Sequence, residues 1–446
     1  MICGGSGRSQ TAGAILALMA DVRPFRALRY APGTDLGAAI CPPFDVISPD
    51  EQRELYARSH LNAVHIELAD ESLGDRYDQA MNTLSGWLDE RALRRDEAES
   101  FYVYRQTFER DGKTFSRTIV FARVRLEPWE AGSVLPHEQT FGGPKEDRLK
   151  LLRAIHLNTS PIYMLYRDAR SRVEGVVREV MAAAPSADFQ SPDGQSHTLW
   201  AVEAPGVVAE LHAMFGREPL FIADGHHRYE TALAYRDEVR EKASSWTGEE
   251  PENFVMAALT AANDPGLVVL PIHRVTNVAT DSVDAMKRVR EIFDIEEVPL
   301  TAKGEAFLDR AAGSRGVTAI ASKDSPDSLM VLTVRNQEEL ERRMPQDRSE
   351  AWRALDYSIA NHAMLQYCLG LSPHEMRDYS RVWFTEDAAE ATTQVRSGAA
   401  TYAVLMRPVS VERVLELAEA GERMPQKSTF FYPKVPTGIV FNPLMD

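Results

Sequence analysis

Along the chain, apolar positions recur at helical spacing and at strand spacing in alternation. Leu73 to Leu93 sets Tyr77, Met81, Leu84 and Leu88 on one face and predicts a helix. Phe101 to Phe108 alternates aromatic and polar residues, Asp111-Gly112 supplies turn chemistry, and Thr118 to Val124 returns, which predicts a hairpin. Asn62 to Leu68 has strand character. After Trp129 the pattern becomes loop, helix, strand: PHEQTFGGPKED, RLKLLRAIH, PIYMLY. A strand over 219–223 then meets a helix over 228–240 through Asp224 to His227. Further strands are predicted over 254–259, 268–273, 316–321, 329–334 and 400–407, and helices over 283–293, 303–313, 349–368, 386–396 and 411–420. No repeat, low-complexity tract or long linker interrupts them, so the fold class is mixed α/β.

The 446 residues suggest about two or three domains. Boundaries near 130 and 280 divide the chain into an α/β region with the hairpin (19–130), a core with two polar loops (131–280) and a C-terminal α/β region (281–446). Residues 1–18 are read as a disordered or mis-assigned extension. Their apolar stretch Ala14 to Ala20 is short for a signal peptide, and Met19 opens a convincing globular start.

Asp plus Glu number 66 against 50 Lys plus Arg, a formal charge of -16. That balance opposes a nucleic-acid or polybasic membrane role, both of which need excess cations. No apolar run approaches the roughly 20 residues of a membrane span. Three cysteines, Cys3, Cys41 and Cys368, are too few for a disulfide framework and fit a reducing cytoplasm.

Against this acidic background the densest polar cluster is Asp224-Gly225-His226-His227-Arg228, between a strand and a helix. Gly225 permits a tight turn and a close backbone approach. His226, His227 and Arg228 add donors where a helix N-terminus already favours phosphate, and Asp224 can hold Mg2+ or orient a histidine. The bland alternative makes Asp224 an N-cap, but two histidines and an arginine are poor first-turn residues because the dipole there is already positive.

The second cluster is His137-Glu138-Gln139-Thr140 with Gly142 to Arg148. It is neither H-E-x-x-H nor a Walker A loop, since Phe141 stands at the second histidine and the glycine-lysine spacing is absent. Glu138 is a candidate base or metal ligand, and Lys145 and Arg148, one turn apart, are candidates to face an anion. The alternative is a capped helix start with solvated cations. A zinc set of His137, Glu138, His226 and His227 would make a metal-dependent hydrolase, although adjacent histidines rarely reach one ion. The segment Lys427 to Gly438 is read as an edge strand with Pro433 as blocker, in preference to a loop that closes over a ligand. Likewise Asp45 of CPPFD is read as a helix cap, and His273 as a packed core residue.

Five segments in order, CPPFDVISPDEQRELYARSHLNAVHIEL, HEQTFGGPKEDRLKLLRA, FIADGHHRYETA, LPIHR and MPQKSTFFYPKVPTG, resemble the bacterial and archaeal domain of unknown function 1015 family over residues 19 to 440. The strand-DGHHR-helix unit is also similar to the signature turn of the ParB and sulfiredoxin superfamily, which includes free-serine kinases. That resemblance implies a ParB/sulfiredoxin-like phosphate-binding core over 131–280. In it Gly225, His226, His227 and Arg228 would cradle phosphate, Asp224 would position metal or nucleotide, and Glu138 would be the base. Sulfiredoxin's catalytic cysteine and ParB's helix-turn-helix are missing. The expectation is therefore a phosphotransferase using ATP or ADP, with CTP as a further nucleotide, and Mg2+. Its substrate would be a small hydroxylated metabolite such as serine. Alternatives are a ParB-like nucleotide sensor without catalysis and the hydrolase.

Overall fold

The computed structural model describes residues 19–138, 143–278, 282–300 and 318–445. The extension 1–18, the loop residues Gln139, Thr140 and Gly142, Gly316 and the helix predicted over 303–313 lie outside the described residues.

A nine-stranded sheet forms the larger body. Its strands are β1 (Val22–Arg23), β2 (Phe101–Arg110), β3 (Lys113–Arg125), β4 (Val134–Pro136), β5 (Ile162–Tyr166), β6 (Ala187–Gln190), β7 (Ser196–Val202), β8 (Leu220–Asp224) and β9 (Phe254–Ala261). The spatial order is β4-β8-β5-β9-β3-β2-β7-β6, with β1 on β3. Pairing is antiparallel except for β8 with β4 and β9 with β5. The predicted hairpin is β2–β3, closed between Arg110 and Lys113. Asp111 (φ 51) and Gly112 (φ 70) take the left-handed conformation that a two-residue hairpin turn demands.

Strand alternation sorts side chains onto two faces. Phe101, Val103, Val120, Ala122, Ile162, Met164 and Ile222 pack under α2 (Arg172–Met181), α3 (Pro205–Phe215) and α4 (His226–Lys242). Tyr102, Tyr104, Ile119, Phe121, Tyr163, Leu165 and Phe221 face the other way. They are covered by α5 (Val411–Glu419) and by Phe431, Val435, Ile439 and Val440 of the C-terminal segment. Gly143–Ile155 forms α1, which packs beside α4 through Lys145–Glu230 and Arg153–Glu238.

A second, all-antiparallel sheet holds β10 (His273–Thr276), β11 (Phe293–Pro299), β12 (Thr318–Ser322), β13 (Ser325–Val334), β14 (Val382–Thr385) and β15 (Tyr402–Leu405), ordered β11-β13-β12-β15-β10-β14. The strand predicted over 268–273 splits at Pro271: Val268–Leu270 pairs with Phe430–Tyr432, and β10 joins the second sheet. The helix predicted over 349–368 breaks near Leu355 and continues as a π-helix over Ala360–Cys368.

Asn62 to Leu68 is not a strand. Val64–Glu67 is one helical turn, because Asn62 Oδ1 accepts from Val64 N (3.0 Å) and Asn62 Nδ2 holds the carbonyls of Ala38 and Ile40. A short run in which only His65 and Leu68 are part-exposed carries no period to separate the two states. Residue 130 lies between β3 and β4 of one sheet, and the boundary read near 280 falls outside the described residues.

Candidate functional site

β8 ends at Asp224, and Gly225 (φ 92) turns the chain into α4. No side chain caps α4, and its first turn has no acidic residue. The capping role weighed for Asp224 is thus not taken, and the helix starts without a side-chain cap, at the end where an anion is favoured. Asp224 instead holds Arg228 (2.5 Å) and Lys434. Burial opposes its ionisation, but Lys434 and Arg228 outweigh burial and hold the carboxyl well below the usual range. Arg228 also donates to the Pro161 carbonyl.

His226 is buried, and its Nε2 accepts from the backbone N–H of His137 (3.3 Å). The His137 ring stands edge-on to it at 4.7 Å, between Ile222 O (2.6 Å) and Thr429 Oγ1 (2.9 Å). Burial pushes His137 down to about 4 and lowers His226 as well, so both rings are neutral at pH 7. Glu138 follows directly. Its carboxyl is raised by burial, against the pull of the Lys427 ammonium and the Lys427 N–H. His227 sits half-buried in the first turn of α4.

Elements remote in sequence complete the surroundings. Met424 N donates to His137 O (2.7 Å), and Lys427 (φ 57) follows in a left-handed conformation. Arg274, fully buried on β10, donates to the carbonyls of Ile272 (2.5 Å) and Gln426 (3.4 Å) and lies over the Tyr357 ring. Beyond Arg228, buried Glu67 accepts from Ser160 (2.8 Å), Thr159 and Phe44 N (3.3 Å). Cys41 pairs with Thr437 across a backbone bridge. Pro43 of the first segment lines a small cavity with Asp224, Arg228 and Lys434, and Arg274 of LPIHR meets the last segment at Gln426.

A family model described as "Protein of unknown function (DUF1015)" matches residues 22–358, well over half of the chain. The chain belongs to that family. In this DUF1015 protein the segment 424–438, which reaches Asp224 and His137, lies beyond the matched residues. None of the curated proteins matches it. Among solved structures, it is similar to a conserved hypothetical protein from Pyrococcus furiosus at 14% identity and TM-score 0.35, covering 71% of this chain and 93% of that one. A glutamate-to-alanine variant of a free serine kinase in complex with AMP gives 13% identity and TM-score 0.35, covering 70% and 86%. SbnI with a C-terminal truncation, from Staphylococcus aureus, gives 10% identity and TM-score 0.32, covering 73% and 87%.

Of the residues singled out in this DUF1015 chain, Glu138, Asp224, Gly225, His226, His227 and Arg228 come together. Lys145 and Arg148 are engaged elsewhere: Lys145 pairs with Glu230, and buried Arg148 binds Asp147 (2.6 Å) and Glu67 O (2.7 Å). The zinc set does not form, since His137 has both ring nitrogens occupied and His226 turns its Nε2 to a backbone N–H. Among the described residues no three His, Cys, Asp or Glu side chains group as metal ligands. Nor do Asp224 and Glu138 fit Mg2+, because Asp224 is neutralised by two cations. Segment 427–438 is more than an edge strand. Phe430–Tyr432 does pair at an edge, but Thr429 and Lys434 on either side reach the site. Asp45 caps nothing here, and Ser48 caps Pro49–Arg58. His273 is a core residue, accepting from Met406 N (3.0 Å). Among the described residues no helix is long and apolar enough to cross a membrane.

Glu67 was missed as a site residue, and Lys427 and Lys434 were set aside with the edge-strand reading of their basic, aromatic segment, because nothing local marks a lysine that meets an aspartate 210 positions away.

Proposed function

We propose that the protein is a nucleotide-dependent phosphotransferase acting on a small hydroxylated metabolite, a hydroxy amino acid such as serine included. The observation that carries this is an uncapped helix start, entered through Gly225 and flanked by Arg228 and Lys434, beside a carboxyl of raised proton affinity at Glu138. Phosphoryl transfer needs positioning and charge neutralisation more than covalent chemistry. The α4 N–H groups, Arg228 and Lys434 take the nucleotide's phosphates, ATP, ADP or CTP. Glu138 takes the proton of the attacking hydroxyl, for which an elevated pKa is an advantage. Neutral His226 and His137 hold the turn against β4. The similarity of the DGHHR unit to the ParB and sulfiredoxin turn supports the same assignment, and a cytoplasmic setting would supply the nucleotide.

A thermal-shift panel of ATP, ADP, CTP and GTP, each with and without Mg2+, followed by phosphorus NMR of phosphate transfer, tests it. At least one nucleotide should stabilise the protein and donate phosphate. Glu138→Gln should lower turnover by ~10²-fold or more with nucleotide affinity nearly unchanged. Lost binding with full activity per bound enzyme would sink the assignment, and stabilisation without transfer would favour a nucleotide sensor.

A further inference from the structure

The cavities beside Asp224 and Arg228 are small, about 10 Å3 and 40 Å3. A cavity of about 240 Å3 lies elsewhere, between the start of α2 and the end of α3. Arg167, Arg170, Arg172 and Arg217 line it, against the acids Asp168 and Glu218. Asp168 is committed to the helix, accepting from Arg172 N (2.8 Å) and Glu174 N (3.0 Å). Arg167 is tied to Glu412 and Glu419 of α5. Arg170, Arg172 and Arg217 are exposed, and among the described residues their guanidinium groups bind no carboxylate; Arg217 Nε donates to Ala213 O (3.1 Å). In a chain of net charge -16 the four arginines of this cavity outnumber its two acids, and gathered like charges repel one another unless an anion joins them. Guanidinium groups suit phosphate in particular, through paired N–H donors.

We propose that this cavity is a second anion site, binding the phosphate of a small molecule and separate from the Gly225 turn. Separation follows from the sheet. Tyr166 lines this cavity on the face that α2 and α3 cover, whereas Tyr163, on the opposite face, lines the one at Asp224. Its volume falls below the ~300–1,000 Å3 of sites for drug-sized ligands, which fits pyrophosphate or a phosphomonoester of a few carbons better than a whole nucleotide.

Calorimetric titration of the full chain with pyrophosphate and with glycerol phosphate tests the site. Arg170→Glu/Arg217→Glu should weaken at least one probe by about tenfold or more, and Arg170→Ala/Arg217→Ala by less, with thermal stability retained because both positions are exposed. Arg228→Gln should leave that binding in place. Unchanged binding of both probes in the double variants, or its loss in Arg228→Gln alone, would overturn the proposal. The kinase assignment fails differently, by absence of any nucleotide effect on the unaltered chain.

Discussion

His137 and His197 are two buried imidazoles whose surroundings refuse a proton, for the same reason in different places. His137 lies between Ile222 O and Thr429, and His197 is stacked on Phe189 and bonded to Tyr104 OH (2.6 Å). Burial lowers both from 6.5 to about 4. The unfolded chain takes up a proton near 6.5 and the folded chain does not, so the stability each contributes is complete above that pH and is lost as pH falls towards 4. Each is worth up to ~3 kcal/mol across the window. Urea midpoints at pH 7, 5.5 and 4 should therefore decline, and His197→Gln should flatten part of the decline; midpoints constant from 7 to 4 would refute the linkage. Asp224 belongs to a lower range, since its depressed carboxyl loses its contribution only below the usual aspartate pKa.

The element that decides the site is α4, and its geometry hangs on its entry. A Cβ at Gly225 would stand 3.1 Å from Arg228 Cζ and Nε, on a backbone with φ 92. Gly225→Ala should cost ~1–2 kcal/mol from the left-handed backbone and displace the guanidinium from Asp224. Denaturant midpoint and nucleotide affinity should both fall, and an unchanged affinity would show that Arg228 has no part in binding. This turn was legible in the sequence because its signal is local: an apolar strand, a glycine and an unsuitable set of capping residues. The β2–β3 hairpin was legible on the same ground, through Asp111-Gly112. Val64–Glu67 was not, because all but His65 are buried in too short a run to show a period, and a side-chain bond from Asn62 holds the helical turn.

At the scale of the whole molecule, the C-terminal segment joins the two sheets. From Met424 beside His137 it passes Thr429 and Lys434 at the site, bonds Arg117 through Pro433 O (2.5 Å), and ends with Phe441 against Leu28. A chain cut after Arg423 should lose nucleotide binding, and its melting temperature should fall by at least ~5 °C, since a whole cover of apolar side chains leaves the sheet. An intact melting temperature would mean that the segment is only a surface trim. None of this reach was legible, because the pairs named span from 210 positions for Lys434 with Asp224 to 413 for Phe441 with Leu28 and depend on topology alone. The ribosome delivers that segment after every other part of the site, at ~5–20 residues per second. Asp224 and His137 therefore wait for Lys434 and Thr429 throughout most of synthesis, and a nascent chain stalled before Met424 leaves the start of α4 without its late partners.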